Sequence, residues 1–282
     1  MLLGIDHLVI ACADPDVAAA ILEREMGLRP GGGGRHDALG TFNRLVWLGD
    51  SYLELIGIFD RDLAERSWIG APSVRAIDAG GGLATWSVAT DDIDGDVARV
   101  NAGGAILAGP IAGERRRPDG AIVRWRLSVP RELGPERPPF LIEHDPAAVE
   151  WSSDERARRA AEVHPLGAPV RLEMLELGIA DVPGMIGALM RSARIGPFRP
   201  SLAGGGARDA AIGGQTLRLR PVRPVGTTNA WPVATIHLRA EPAVAGKAGP
   251  SASSAPSIGP RSVVLLGCRF VVRRQAQDGS SP

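Results

Sequence analysis

The chain has 282 residues, 44% of them hydrophobic, and its 32 basic and 32 acidic side chains cancel to a formal charge of zero. That length allows a full hydrophobic core in one or two domains, and the balanced charge gives no reason to expect nucleic acid or a membrane as a partner. No apolar run approaches the ~20 residues that cross a bilayer. The apolar start lacks a basic segment and predicts a strand rather than a signal peptide, so we expect a cytoplasmic protein.

One pattern recurs three times along the chain: an apolar strand of about six residues, then an Asp, then a helical pattern. It occupies residues 7–22 (HLVIACADPDVAAAIL), 86–101 (WSVATDDIDGDVARVN) and 175–190 (LELGIADVPGMIGALM). In each copy the Asp (Asp14, Asp92 and Asp181) stands where its side chain can accept hydrogen bonds from the first N–H groups of a helix. Further strand candidates follow each helix, so the pattern predicts repeated strand–helix–strand units.

These repeats divide the chain into segments. The first two repeats and their strands occupy residues 1–146, and a charged linker with helical character follows over 147–166. The third repeat occupies 167–240. Residues 241–282 begin with a stretch rich in Ala, Gly, Pro and Ser, which predicts a flexible tail with one possible short strand.

Three stretches carry a resemblance to a known family. GIDHLVIACAD (4–14), HDALGTFNRLVWLGDSYLELIGI (36–58) and GLATWSVATDDID (82–94) resemble the glyoxalase-like branch of the vicinal oxygen chelate superfamily. That superfamily includes glyoxalase I, extradiol dioxygenases, methylmalonyl-CoA epimerase and the bleomycin resistance proteins. The resemblance implies an α+β fold in which paired βαβββ modules form curved mixed sheets around a cleft, with a third, weaker module.

The resemblance also implies a ligand set for a divalent metal ion such as Fe, Mn, Ni, Co or Zn. In the metal-using members the ligands come from the first and last strands of each module. By position, these are His7 and Glu54 in the first module and Glu143 in the second. Thr85 stands at the fourth position, where it would be a poor ligand. In the third repeat the places of His7 and Glu54 are taken by Met174 and Arg218, which are not a ligand set. The expected role of this repeat is therefore to pack against the other modules or to close over the cleft.

The residue types leave plainer alternatives open. Glu54 lies within an apolar strand, and a buried carboxylate is costly unless a cation, hydrogen-bond donors or a metal compensates it. An arginine ion pair and a role in metal binding or catalysis are therefore both possible for Glu54. His7 can equally be a core histidine, and Glu143 a solvated carboxylate on an edge strand.

Other polar residues are candidates for contacts with substrate. His36, Thr41 and Asn43 form a polar turn that leads into a strand, and Thr and Asn are also common in turns for structural reasons. The resemblance implies that this turn is part of the pocket and that His36, together with Glu54, is a catalytic residue. Arg117 ends a run of three arginines that either faces solvent or binds an anionic substrate.

The sequence thus predicts a metal-dependent glyoxalase-like enzyme (a lyase, isomerase or dioxygenase) that acts on a small substrate with vicinal oxygens. The alternative is a metal-free protein that sequesters a ligand, of the bleomycin-resistance type, and Thr85 favours it. A non-catalytic scaffold is a third possibility. Because three modules leave one without a partner inside the chain, a homodimer is also possible.

Overall fold

A computed structural model of the protein describes residues 1–116, 120, 122–222, 234–241 and 261–274. The strands are β1 (Leu2–Ala11), β2 (Gly33–His36), β3 (Thr41–Leu48), β4 (Ser51–Ile58), β5 (Gly82–Thr90), β6 (Leu107–Arg116), β7 (Ile122–Pro130), β8 (Phe140–His144), β9 (Val170–Ile179), β10 (Arg199–Pro200), β11 (Arg208–Ile212), β12 (Gln215–Pro221), β13 (Ala234–Ala240), β14 (Arg261–Leu265) and β15 (Cys268–Arg274). The helices are α1 (Pro15–Met26), α2 (Arg61–Glu65), α3 (Gly70–Asp78), α4 (Ile93–Ala102), α5 (Ser153–Ala160) and α6 (Val182–Ser192), with 3₁₀ helices at Asp37–Leu39 and Val149–Trp151.

The first eight strands close into a barrel in the order β1-β4-β3-β2-β6-β7-β8-β5. Each half of the barrel is one βαβββ module, β1-α1-β2-β3-β4 and β5-α4-β6-β7-β8. Within each module the first and last strands pair in parallel, and the two modules meet through the antiparallel pair β1–β5 and at β2–β6. The predicted α+β class and paired modules are confirmed.

The predicted helix starts are also confirmed. Asp14, Asp92 and Asp181 precede α1, α4 and α6, and each side chain accepts a hydrogen bond from an N–H group in the first turn. Such a cap contributes ~1 kcal/mol. Helix α1 ends where Gly27 adopts the left-handed conformation, with φ of 64°. None of the helices in the described part of the chain is long and apolar enough to span a membrane.

The remaining strands form a second sheet of seven strands in the order β10-β11-β12-β9-β13-β15-β14. Strand β9 pairs in parallel with β12 and antiparallel with β13, and β13 pairs in parallel with β15. This is the pairing scheme of β4-β1-β5-β8 in the barrel. Strand β13 therefore corresponds to the first strand of a fourth, shorter repeat, rather than to the last strand of the third.

That fourth repeat is completed by residues 261–274, which form β14 and β15 where the sequence predicts a flexible tail with one possible strand. The sequence pattern misses it because no strand–Asp–helix motif follows β13. The segment boundaries at residues 146 and 167 stay predictions.

The two sheets share one apolar core. A single cluster of buried side chains extends from Leu8 and Leu53 on the barrel wall to Leu217 and Phe270 in the second sheet. Fully burying side chains of this size contributes roughly 1.5–3 kcal/mol each. A separate, smaller cluster lies within the barrel and includes Phe140. The barrel interior is therefore partly filled, and the space left in it has both apolar and polar walls.

Candidate active site

The barrel encloses a cavity of about 70 Å³ to which both modules contribute. Its polar lining residues are His7, His36, Asn43, Glu54, Arg115, His144 and Glu150. Its aromatic lining residues are Trp47, Tyr52, Trp68, Trp125, Phe140 and Trp151. A largely apolar wall with a few converging polar groups is the usual form of a small-molecule site.

An irregular stretch of β1 positions the first two residues of the site. The register between β1 and β5 moves from Ile5 opposite Val88 to Leu8 opposite Trp86, so β1 carries one extra residue there. The backbone N–H of His7 donates to the side-chain oxygen of Ser87 at 3.3 Å. Bulges of this kind often lie next to active sites, where they redirect side chains.

His7 lies between two carboxylates. Its Nδ1 is 2.5 Å from a carboxylate oxygen of Asp6, and this nitrogen carries the proton because an ionised carboxylate can only accept. Its Nε2, on the other side of the ring, is 3.5 Å from Oε2 of Glu54. Oε1 of Glu54 accepts a hydrogen bond of 2.7 Å from Nδ2 of Asn43. The Asn43 amide therefore compensates part of the cost of burying Glu54.

Asp6 joins two imidazoles. Its second oxygen is 2.8 Å from Nε2 of His144, which reaches it from β8. Burial favours the neutral acid, but the charge of His144 and hydrogen bonds from His144 and His7 outweigh it and hold the pKa of Asp6 well below its usual value. Asp6 is thus a buried anion that fixes the orientation of both rings.

The polar turn also contributes to the cavity. Nδ1 of His36 is 2.9 Å from the hydroxyl oxygen of Thr41, which is fully buried. Burial lowers the pKa of His36 below its ordinary value of 6.5, although the negative charge of Glu54 acts in the opposite direction. His36 is therefore a neutral imidazole at pH 7.

The segment predicted as a linker closes one side of the cavity. We call residues 147–160 the strap. Within it, the carboxylate of Glu150 lies 3.2 and 3.3 Å from Nη2 of Arg115, and Trp151 stacks on His144 with ring centroids 3.6 Å apart. The buried guanidinium of Arg159 lies 4.1 Å from the ring centroid of Trp47. These contacts hold the strap against the barrel.

Glu143 lies outside the cavity, which corrects the predicted ligand set. On β8 the side chains of Phe140, Ile142 and His144 line the cavity, whereas Glu143 accepts hydrogen bonds from Arg126 and from the backbone N–H of Ile93. Side chains alternate along a strand, and the inward positions of β8 are the even-numbered ones.

The donors that face the cavity do not fit the implied metal site. His7 and Glu54 come together from the first module. From β8 the second module supplies Phe140, Ile142 and His144, and Nε2 of His144 is bound to Asp6. Thr85 is buried without a hydrogen-bond partner among the described residues. Across the described ranges, no group of three or more His, Cys, Asp and Glu side chains is arranged to hold a metal ion.

The structure brings His7, His36, Asn43 and Glu54 to one cavity, with Thr41 behind His36. Arg117 lies outside the described residues. Sequence reasoning missed Asp6 and His144, although the Asp-His pair in the first strand and the alternation of β8 both pointed to them.

Comparison with known proteins identifies related sequences and folds. Residues 5–191 match the model of a family described as a glyoxalase-like domain. The match spans the barrel, the strap, β9 and nearly all of α6. A comparison with curated proteins returns no significant match.

Among solved structures, a hypothetical protein from Staphylococcus aureus superposes with a TM-score of 0.73 at 14% identity, covering 98% of this chain and 100% of that one. This likeness shows a shared fold. A variant of the methylmalonyl-CoA epimerase from Streptomyces coelicolor, in complex with 2-nitronate-propionyl-CoA, matches at TM-score 0.40 and 23% identity over 52% of this chain and 100% of that one. The Mycobacterium tuberculosis methylmalonyl-CoA epimerase matches at TM-score 0.38 and 21% identity over 51% of this chain and 89% of that one.

Proposed function

Because this chain belongs to the glyoxalase-like domain family, we propose that it is an enzyme that removes a proton from a carbon next to a carbonyl group in a small oxygenated substrate. One observation supports this above all: Asp6, His7 and Glu54 form a row, with Nε2 of His7 at the cavity. Isomerases and lyases that work through an enolate need a positioned base and a donor for the developing oxyanion.

His7 is the proposed base. The Asp6 anion holds the proton on Nδ1, which leaves Nε2 with a free lone pair on the side of the ring away from Asp6, at the cavity that His7 and Glu54 both line. When Nε2 takes the substrate proton, Asp6 and Glu54 stabilise the imidazolium, as carboxylates do beside catalytic histidines. Asn43 orients Glu54 through its hydrogen bond of 2.7 Å.

His36 is the proposed donor to the substrate oxygen. The Thr41 hydroxyl can donate to Nδ1 of the neutral ring, so that Nε2 carries the proton. A neutral imidazole whose pKa is lowered can polarise a carbonyl without giving up its proton early. The proposal assigns no step to a metal ion, because only His7 and Glu54 among the implied ligands meet at the cavity.

Deuterium exchange in D2O tests this function. Proton NMR would follow the carbon-bound protons of small 2-oxo and 2-hydroxy carbonyl compounds, including pyruvate and hydroxyacetone. We expect His7→Gln and Glu54→Gln each to slow exchange by about 100-fold or more, since general base catalysis contributes at least that much. Arg218→Gln, at the place of Glu54 in the second sheet, is the matched control and should leave the rate unchanged. Exchange that survives His7→Gln would refute the assignment.

Metal dependence has its own test. The wild-type protein, dialysed against EDTA, should keep its exchange activity, and added Mn, Ni, Fe(II) or Zn should give no thermal shift. A shift that Glu54→Gln abolishes would instead support the metal-dependent function predicted from the resemblance.

Ligand sequestration without chemistry is the second candidate function. It is favoured by β8, which presents Phe140 and Ile142 to the cavity where the resemblance implies a ligand. Tight binding of a carbonyl compound without exchange of its protons would select this alternative. The cytoplasmic location and the homodimer stay predictions.

A further inference from the structure

Arg115 is a buried cation held by an imperfect ion pair. Its side chain is 7% exposed, and both oxygens of Glu150 share one nitrogen, Nη2, at 3.2 and 3.3 Å. Arginine binds a carboxylate best through two parallel hydrogen bonds from two nitrogens. Arg218 does so in the second sheet, where Nε and Nη2 each lie 2.8 Å from an oxygen of Asp209. Glu150 is therefore a replaceable partner for Arg115.

The rest of the Arg115 environment is fixed. Nη1 donates to the backbone oxygen of Gly33 at 2.8 Å, which holds the guanidinium in the cavity wall. Glu150, in contrast, belongs to the strap, whose described contacts with the barrel are made by side chains and not by a strand ladder. The strap can therefore leave the barrel without breaking a sheet.

We infer that Glu150 occupies the place of a substrate carboxylate, so that the cavity takes a small carboxylic acid bound through Arg115 while the strap moves outward. This assigns a substrate class to the site of the proposed function and therefore rests on it. The exchange of one carboxylate for another keeps Arg115 paired throughout.

The same charges explain why the strap stays closed without a ligand. Opening alone would separate the Arg115 guanidinium from Glu150 with no other carboxylate in its place, so the attraction of the pair would be lost. A neutral ligand cannot supply the missing charge. An acid can, and it therefore binds the open form better than the closed one, which is the condition for a ligand to shift such an equilibrium.

Calorimetric titration of pyruvate, glycolate and oxalate, with pyruvamide as the neutral analogue of pyruvate, tests the inference. In wild type we expect at least one acid to bind and pyruvamide to bind more weakly than pyruvate. Glu150→Gln removes the competing carboxylate and should tighten binding of that acid by about tenfold, within the usual range of such couplings. The double variant Arg115→Gln/Glu150→Gln should lose the preference for the acid.

Glu176→Gln is the matched control, because the Glu176 side chain is 13% exposed and pairs with Arg220, against 11% for Glu150 with Arg115. It should leave all affinities unchanged. Equal affinity of wild type for pyruvate and pyruvamide, or no binding of any acid, would overturn the inference. If Glu150→Gln does not fold, the affinities of wild type for pyruvate and pyruvamide still test the inference.

These outcomes separate the inference from the proposed function. If an acid binds through Arg115 and no substrate exchanges protons, the carboxylate site stands and the base assignment fails. If hydroxyacetone exchanges in a His7-dependent manner and no acid binds, the base assignment stands and the carboxylate site fails.

Discussion

The barrel and the second sheet share one strand arrangement but carry different side chains at equivalent places. Glu54 lies opposite Val9 in the pair β4–β1, and Arg218 lies opposite Glu176 in the pair β12–β9. Two residues before Val9 is His7, and two residues before Glu176 is Met174. The Met174 and Arg218 equivalents predicted from the sequence therefore hold in three dimensions.

The difference lies in closure. The barrel closes on itself, so the polar groups on its inner face are buried: Glu54 is 7% exposed and accepts a hydrogen bond from Asn43. The second sheet stays open, and its polar face forms ion pairs among its own strands, such as Arg218 with Asp209. The same arrangement of strands thus forms a buried cavity in the closed barrel and a set of ion pairs on the face of the open sheet.

Asp6→Asn should have the largest effect on stability. The Asp6 anion is fully buried between two imidazoles, and breaking a buried charged network costs about 3 kcal/mol or more. Asp209→Asn in the second sheet should cost under about 1 kcal/mol, because that carboxylate is partly exposed and screened. Urea unfolding at pH 7 measures both, and equal losses would contradict the comparison.

The pH dependence of Asp6→Asn sharpens this test. The folded-state pKa of Asp6 is depressed, so its ionised form stabilises the fold fully above the unfolded pKa of about 3.9. That contribution is lost as the pH falls through the folded pKa. The difference between wild type and Asp6→Asn should therefore shrink below about pH 4. A difference that grows on acidification would contradict the depressed pKa.

Gly213→Ala should have an intermediate effect, because the backbone of Gly213 makes one of the contacts between the second sheet and the barrel. It bridges to Gly4 with φ of 57°, and an added Cβ would overlap the carbonyl oxygen of Leu3. Left-handed strain and this overlap together should cost about 2 kcal/mol. Gly214→Ala, with nothing within 4 Å of its Cβ, is the control, and thermal unfolding compares the two.

Arg220→Gln should have the smallest effect. Its side chain is 38% exposed, and its partner Glu176 keeps Arg218 at 3.6 Å. A pair of this kind contributes less than about 1 kcal/mol. Urea unfolding at low and high salt measures it. A loss as large as that of Asp6→Asn would show that the open face is as critical to stability as the closed one.

Much of the fold could be predicted from local patterns. The strand–Asp–helix motif located α1, α4 and α6, because a capping carboxylate acts within a few residues of its own position. Strand alternation placed Glu54 and Tyr52 on one face, and both line the cavity. The fourth repeat was missed because its strands lack the local motif. It is recognised only from the pairing of β13 with β9 and of β15 with β13.

The site was harder to predict, because alternation divides a strand into two faces without showing which face is inward. On β8 the inward face carries His144 and the outward face carries Glu143. Which face is inward follows from the way the barrel closes. A bulge in β1 brings the neighbours Asp6 and His7 into one network, which simple alternation would separate.

The sequence by itself determined the repeats, the helix starts and the candidates His7 and Glu54, because these depend on residues close together along the chain or on a family resemblance. Only the tertiary structure decided that His144 rather than Glu143 reaches Asp6 and that Glu150 of the strap pairs with Arg115. The physical reason is that the energies of buried charges depend on which groups surround them, and those groups come together only when the barrel closes.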